Sequence, residues 1–170
     1  MIYNNILEAM GNTPIIKLGH MGDKEGAQIL VKFEGLNVGG SIKTRTAYNM
    51  IRDAEKKGLI NKDTVIVEPT SGNQGIGLAL VGAVRGYETK IIMPDSVSEE
   101  RRKLVAHYGA EVILVHDAGN IGECIEECLQ TALRDVYKRQ VLLFLMRILY
   151  LMQSVNVFIL LLNVFYEKAL

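Results

Sequence analysis

The chain has 170 residues, enough for one ordinary domain and too few for two full ones. Its 19 basic and 19 acidic residues balance, which argues against the clustered positive charge that a nucleic-acid partner would need. Met1-Ile2-Tyr3-Asn4-Asn5 is not a basic region followed by an apolar stretch, so no secretory signal is expected. The two cysteines, Cys124 and Cys128, fall four apart on one face of a predicted helix, a poor geometry for a disulfide. They are expected to be buried thiols of a reduced, cytoplasmic protein, with no metal site.

In chain order, residues 5–10 read as a short helix closed by the turn Gly11-Asn12-Thr13-Pro14, and 15–18 as a short strand. Residues 28–34 (QILVKFE) read as an apolar-rich strand entering a glycine loop. Ser41 then opens a helix to about Lys57, with Ala47, Met50, Ile51 and Ala54 on one face and Gly58 just past its end. Residues 64–67 form a predicted strand, 73–85 a helix, 90–93 a strand stopped by Pro94, 98–107 a helix, 111–115 a strand and 121–133 a helix. Strand and helix alternating at this spacing predict an α/β fold, a parallel sheet with flanking helices joined by right-handed crossovers. Ligands in such sheets bind at the carboxyl ends of strands. Two loops, 35–43 and 68–75, follow predicted strands and open helices.

The composition breaks near residue 134. Residues 134–140 read Arg-Asp-Val-Tyr-Lys-Arg-Gln, and an apolar C-terminal tail follows, with no charge from 148 to 166. That stretch approaches the length of a membrane-spanning helix, although Gln153, Ser154, Asn156 and Asn163 interrupt it. The tail reads as a membrane helix, as a buried helix, or as frameshifted or adapter-derived sequence, since DVYKRQ resembles translations found at broken ends of environmental gene fragments. The last reading is preferred, because an evolved domain has no physical reason to change composition in mid-helix. The organisation expected is therefore an incomplete α/β region over 1–133 and a non-native segment over 134–170. Membrane contact is expected only if the tail is genuine.

The first loop runs Glu34-Gly35-Leu36-Asn37-Val38-Gly39-Gly40-Ser41-Ile42-Lys43. Paired glycines allow a tight turn and close approach to a ligand, and Ser41 is placed to cap the next helix. Lys43 falls in that helix's first turn, where the dipole disfavours a cation and so favours the neutral amine needed for imine formation with an aldehyde. A solvated lysine at a helix start fits the same residues equally well. The second loop, Glu68-Pro69-Thr70-Ser71-Gly72-Asn73-Gln74-Gly75-Ile76-Gly77, offers the hydroxyls and amides of Thr70, Ser71, Asn73 and Gln74 at a helix N-terminus, a set suited to a carboxylate. Taken alone, it reads as readily as a polar cap. Gly75 and Gly77 are expected to let the helix pack closely on a neighbour.

Through GNTPIIKL, KFEGLNVGGSIKTR, AYNMIRDAEKKG, EPTSGNQGIGLAL and IIMPDSVSEERRKLVAHYGAEVILV, residues 1–133 resemble the amino half of the cysteine synthase and cystathionine β-synthase family, the fold-type II pyridoxal-phosphate enzymes. The resemblance implies pyridoxal 5'-phosphate as cofactor and Lys43 as its Schiff-base anchor and the carrier of the α-proton. It implies that Asn73 bonds the cofactor's ring hydroxyl and that Thr70, Ser71, Asn73 and Gln74 bind a small amino-acid substrate at its carboxylate. The implied reaction is loss of a β-substituent followed by attack of a nucleophile, as in making cysteine from O-acetylserine and sulfide, in a homodimeric full-length protein. The family usually carries proline where Val38 stands, aspartate where Thr44 stands and threonine where Gln74 stands. Its phosphate-binding loop lies in the carboxyl half, so these 170 residues are expected to be an inactive fragment. The alternatives are a β-eliminating or ammonia-lyase member of the family, a non-catalytic membrane-anchored module, and a phosphate- or nucleotide-binding domain using Gly39-Gly40.

Overall fold

The computed structural model describes residues 2–19, 26–116 and 121–136, and the backbone of 141–143. Two short strands, β1 (Ile15–Lys17) and β2 (Leu30–Lys32), pair antiparallel with Ile16 opposite Val31. Next come helix α1 (Lys43–Lys56), strand β3 (Val65–Pro69), helix α2 (Asn73–Arg85), strand β4 (Glu88–Pro94), helix α3 (Glu99–His107), strand β5 (Glu111–Val115), helix α4 (Gly122–Val136) and strand β6 (Val141–Leu143). Strands β5, β4, β3 and β6 form one sheet in that order, and every pairing in it is parallel. The fold is α/β, as expected.

Alternation along the strands divides the interior into two layers. Ile66, Ile91 and Met93 join Ala47, Ile51, Leu78 and Val81 in a core beneath α1 and α2. Val65, Val67 and Ile92 point the other way, onto Cys124, Cys128 and Ala132 of α4. Both thiols are fully buried, as anticipated, and burial pushes that of Cys128 up to about 12. Helix α1 shows one buried stripe, Thr44, Ala47, Ile51 and Ala54, the mark of a helix covering a core on one side. Helix α2 is buried continuously from Gln74 to Gly82, because it lies between α1 and the sheet.

Two expectations need correction. The strand over 28–34 is only Leu30–Lys32. Beyond it the chain coils into short 3-10 turns at Glu34–Leu36 and Val38–Gly40, where Gly39 and Gly40 take positive φ values of 77° and 72°. The loop at 35–43 therefore leaves the small antiparallel pair and not the parallel sheet, whereas the loop at 68–75 does leave the carboxyl end of β3. Helix α4 runs to Val136, three residues past Leu133, and 141–143 pair with β3. The remainder of the apolar segment, including 148–166, lies outside the described residues. Among the described residues no helix is long and apolar enough to cross a membrane.

Close packing of α1 on α2 depends on Gly77. A Cβ there would stand 3.0 Å from the Lys43 carbonyl oxygen, 3.2 Å from its carbonyl carbon and 3.2 Å from Ala47 Cβ. Replacing glycine by alanine inside a helix gains about 1 kcal/mol of propensity, but crowding a packed backbone costs about 1–3 kcal/mol. We expect urea midpoints in the order parent, Gly77→Ala, Gly77→Val, from highest to lowest. A Gly77→Ala protein as stable as the parent would mean that α1 shifts freely.

Glu68 closes the buried run of β3 with 2 % exposure, and its Oε2 lacks a hydrogen-bond partner. Burial raises its carboxyl from 4.5 to about 9, so the folded protein holds this proton at neutral pH. The unfolded chain releases the same proton above its ordinary value, so stability falls as pH rises from 4.5 towards 9. Glu68→Gln should be more stable than the parent near the top of that window, with a flatter pH dependence of its urea midpoint. Parallel pH profiles would rule out a neutral Glu68.

Candidate active site

Lys43 is positioned by contacts that begin in the turn at 11–14. Arg45, in the first turn of α1, clasps Glu34 with two parallel bonds, Nε to Oε2 and Nη2 to Oε1, both 2.9 Å. Thr13 joins the pair: its hydroxyl donates to Glu34 Oε1 at 2.6 Å and accepts from Arg45 Nη2 at 3.2 Å. Charge-assisted bidentate pairing of this kind fixes orientation as well as distance. It holds the Glu34 carboxyl at about 2, well below its ordinary value, with the Arg45 hydrogen bonds as the largest cause. Asn37 is buried and completes the frame. Its Oδ1 accepts from the N–H groups of Gly11 and Val38, both at 3.0 Å, and its Nδ2 donates to Glu34 Oε2 at 3.1 Å. Ser41 Oγ accepts the Lys43 N–H at 3.2 Å, so Ser41 caps α1 as its position predicted.

The Lys43 side chain is half-buried, and among the described residues its Nζ has no hydrogen-bond or ion-pair partner. The contact at Gly77 sets Lys43 against the first turn and a half of α2. The second loop enters that helix from the carboxyl end of β3. Thr70 N–H donates to the Ile92 carbonyl at 2.9 Å, and Thr70 Oγ1 accepts the Gly72 N–H at 3.3 Å. Ser71 and Asn73 are exposed. The backbone N–H groups of Ser71, Asn73 and Gln74 have no acceptor among the described residues. Three unspent donors at the start of a 13-residue helix form a natural anion seat.

Lys43, Thr70, Ser71 and Asn73 are thus carried by two adjoining helix starts. Gln74 differs from the rest in where its side chain goes. It is 7 % exposed, its Nε2 lies 3.8 Å from Met50 Sδ, and its Oε1 has no partner. Its carboxamide therefore lies in the α1–α2 seam, and its backbone N–H is the group it leaves at the loop. Gly75 lets the helix start meet the sheet, since a Cβ there would stand 2.8 Å from Thr70 Cγ2 and 2.9 Å from Ile91 Cγ2. The departures at 38 and 44 lie together. Thr44 is fully buried under the glycine turn, and a Cβ on Gly39 would come within 2.3 Å of its Oγ1.

Sequence reasoning did not find the Glu34–Arg45–Thr13 clasp. Its members lie in the quoted motifs, but nothing in their spacing reveals a contact between residues 32 apart. Arg101, in the charged run Glu99–Lys103, is exposed, and its Nη1 donates to the Ser71 carbonyl at 3.3 Å.

This donor set fits pyridoxal phosphate on its aldehyde and ring-hydroxyl side. Among the described residues it presents an unpartnered half-buried amine, an unpartnered exposed carboxamide on Asn73, and free N–H groups in the same loop. The chain is 49 % identical over 132 residues to a Flavobacterium cysteine synthase, covering 78 % of this chain and 43 % of that protein. Among solved structures, a hydrogen sulfide-producing enzyme from Fusobacterium nucleatum matches at 45 % identity with a TM-score of 0.74, covering 84 % of this chain and 45 % of its own. A cysteine synthase from Entamoeba histolytica matches at 37 % identity with a TM-score of 0.77, covering 84 % and 43 %. The chain thus spans less than half the length of the proteins it matches. The family model for pyridoxal-phosphate dependent enzymes matches residues 6–144, a range that takes in the Lys43 loop, the Thr70–Asn73 loop and the whole parallel sheet, and the chain belongs to that family.

Proposed function

We propose that the full-length protein performs a β-replacement on an activated serine, specifically the cysteine synthase reaction of O-acetylserine with sulfide, and that these 170 residues alone are an inactive fragment of it. The observation that carries this reading is the meeting of two helix starts, one bearing an unpartnered lysine and the other a row of unspent N–H groups. Lys43 and Asn73 would hold pyridoxal phosphate, through the amine and the carboxamide respectively. When bound, the cofactor supplies an electron sink for the substrate's α-carbon. Lys43 Nζ is the base that takes the α-proton and holds it for return. Thr70 and Ser71 orient the substrate carboxylate, aided by the backbone N–H groups of Asn73 and Gln74. The Gln74 side chain contributes by filling the seam behind that loop.

A second reading has its own support. The resemblance to a hydrogen sulfide-producing enzyme favours elimination from a sulfur amino acid on the same site, and product analysis separates the two. In either case we read the full-length protein as a cytoplasmic homodimer acting on a small amino acid.

Borohydride reduction after mixing the chain with pyridoxal phosphate tests the role of Lys43. Peptide mapping should find the reduced cofactor on Lys43, and Lys43→Ala should lose both the label and the visible absorbance. Equal labelling of other lysines in parent and variant would sink the assignment.

We also infer that 134–170 is sequence of different origin from the α/β region, on its change of composition, even though α4 runs on to Val136 and 141–143 pair with β3. Genomic DNA read across codon 133 should continue, in one frame, into a glycine-rich segment in place of this apolar one. Genomic sequence encoding the VLLFLM run in frame would overturn that division.

A further inference from the structure

Helix α3 begins with Glu99-Glu100-Arg101-Arg102-Lys103, and its three cations have three different tasks. Lys103 pairs with Glu99 one turn back, at 2.9 Å. Arg102 folds onto its own entry turn, with Nε donating to the Val97 carbonyl at 2.9 Å and Nη2 to the Asp95 carbonyl at 3.1 Å. Arg101 alone of the three reaches across to another loop. Its Nη1 donates to the Ser71 carbonyl and lies 3.8 Å from where a Cβ on Gly72 would stand. Among the described residues its guanidinium meets no carboxylate. It therefore carries a full positive charge and unspent N–H groups beside the Ser71–Gly72 peptide. A cation in a helix's first turn opposes that helix's dipole, so local helix energetics do not account for arginine at 101. The contact across to Ser71 does.

We propose that Arg101 is a positioning residue for the carboxylate loop. By drawing the Ser71 carbonyl towards α3, it holds the peptide units around Ser71 and Gly72 in one orientation, and its charge favours an incoming carboxylate. The planar guanidinium suits both tasks together, because one N–H edge grips the carbonyl and the others remain available. The proposal rests on the reading of Thr70–Asn73 as the substrate-carboxylate loop.

Its test needs no cofactor for the first measurement. A hydrogen bond of ordinary net strength corresponds to about tenfold in a local opening equilibrium. In the 170-residue chain, Arg101→Ala should speed amide exchange at Gly72 and Gly75, whose N–H groups are bonded to Thr70 Oγ1 and the Gly72 carbonyl, by about tenfold while α1, β4 and the rest of α3 stay within about twofold. Arg101→Lys, which keeps a charge and a donor, should recover most of that protection. In the full-length, cofactor-loaded protein, Arg101→Ala should raise KM for O-acetylserine by about tenfold with kcat nearly unchanged, the pattern of lost uniform binding. Unaltered exchange at Gly72 and Gly75, exchange raised equally throughout α3 and β4, or an unchanged KM would each overturn the proposal. Loss of Lys43 labelling would instead defeat the functional reading and leave the exchange result standing, so the two failures are distinguishable.

Discussion

The site depends on one close approach. Helix α2 meets the Lys43 peptide at Gly77 with no room for a side chain. This contact sets how far the lysine stands from the loop that opens α2, because the loop is only four residues upstream of Gly77. Any widening would move the amine away from the N–H groups it has to work with. Helix α2 can come this near because it is almost wholly buried: sheet on one side and α1 on the other leave it a single position. A packed interior transmits such a constraint without slack.

The loop carrying Lys43 is not fixed by packing in the same way. β1 and β2 are exposed, and the chain from Glu34 to Gly40 turns twice without regular ladder bonds. The Glu34–Arg45 clasp substitutes for a core at this point. An isolated surface ion pair is worth less than about 1 kcal/mol, but this pair is two-pronged, shares Thr13 and Asn37, and sits where few alternatives exist. Its effect is to fix geometry more than to add stability. It ties the turn at 11–14, the end of β2 and the first turn of α1 into one frame, so the direction of Lys43 is decided before any ligand arrives.

Where periodicity and punctuation acted together, the sequence could be read to the residue. Helix α2 and β5 begin and end where glycine, asparagine and the apolar run predicted. The loop motifs were legible as well, because short polar side chains at a strand-to-helix turn have few other uses. Three features were not legible, each because it depends on contacts across space. The strand predicted over 28–34 ended early because Glu34 found Arg45 and left the ladder. Gln74 read as a ligand group from its place in the loop, while helix rotation carries its side chain into the seam with Met50. Arg101 is solvent-facing, as its charged neighbours suggest, but nothing in that charged run shows its contact with the Ser71 carbonyl. Glu68, at the end of an apolar strand, did carry a signal, since a charge in a buried run announces either a partner or a held proton.

The convergence of the two helix starts has an electrostatic consequence. Each helix brings about half a positive charge to its N-terminus, and α1 begins within a turn and a half of the start of α2. Arg101 adds a whole charge from α3, and the N–H groups of Ser71, Asn73 and Gln74 lack acceptors among the described residues. Like potentials gathered at one point raise the energy of the ligand-free protein. An anion seated there is attracted by every element that meets at the site. Three acidic residues give this field little relief: Glu34 is consumed by Arg45, Glu99 by Lys103, and Glu68 keeps its proton inside the sheet. These three carboxylates are thus paired or neutral, which leaves much of the anionic part of the field to be supplied by whatever binds.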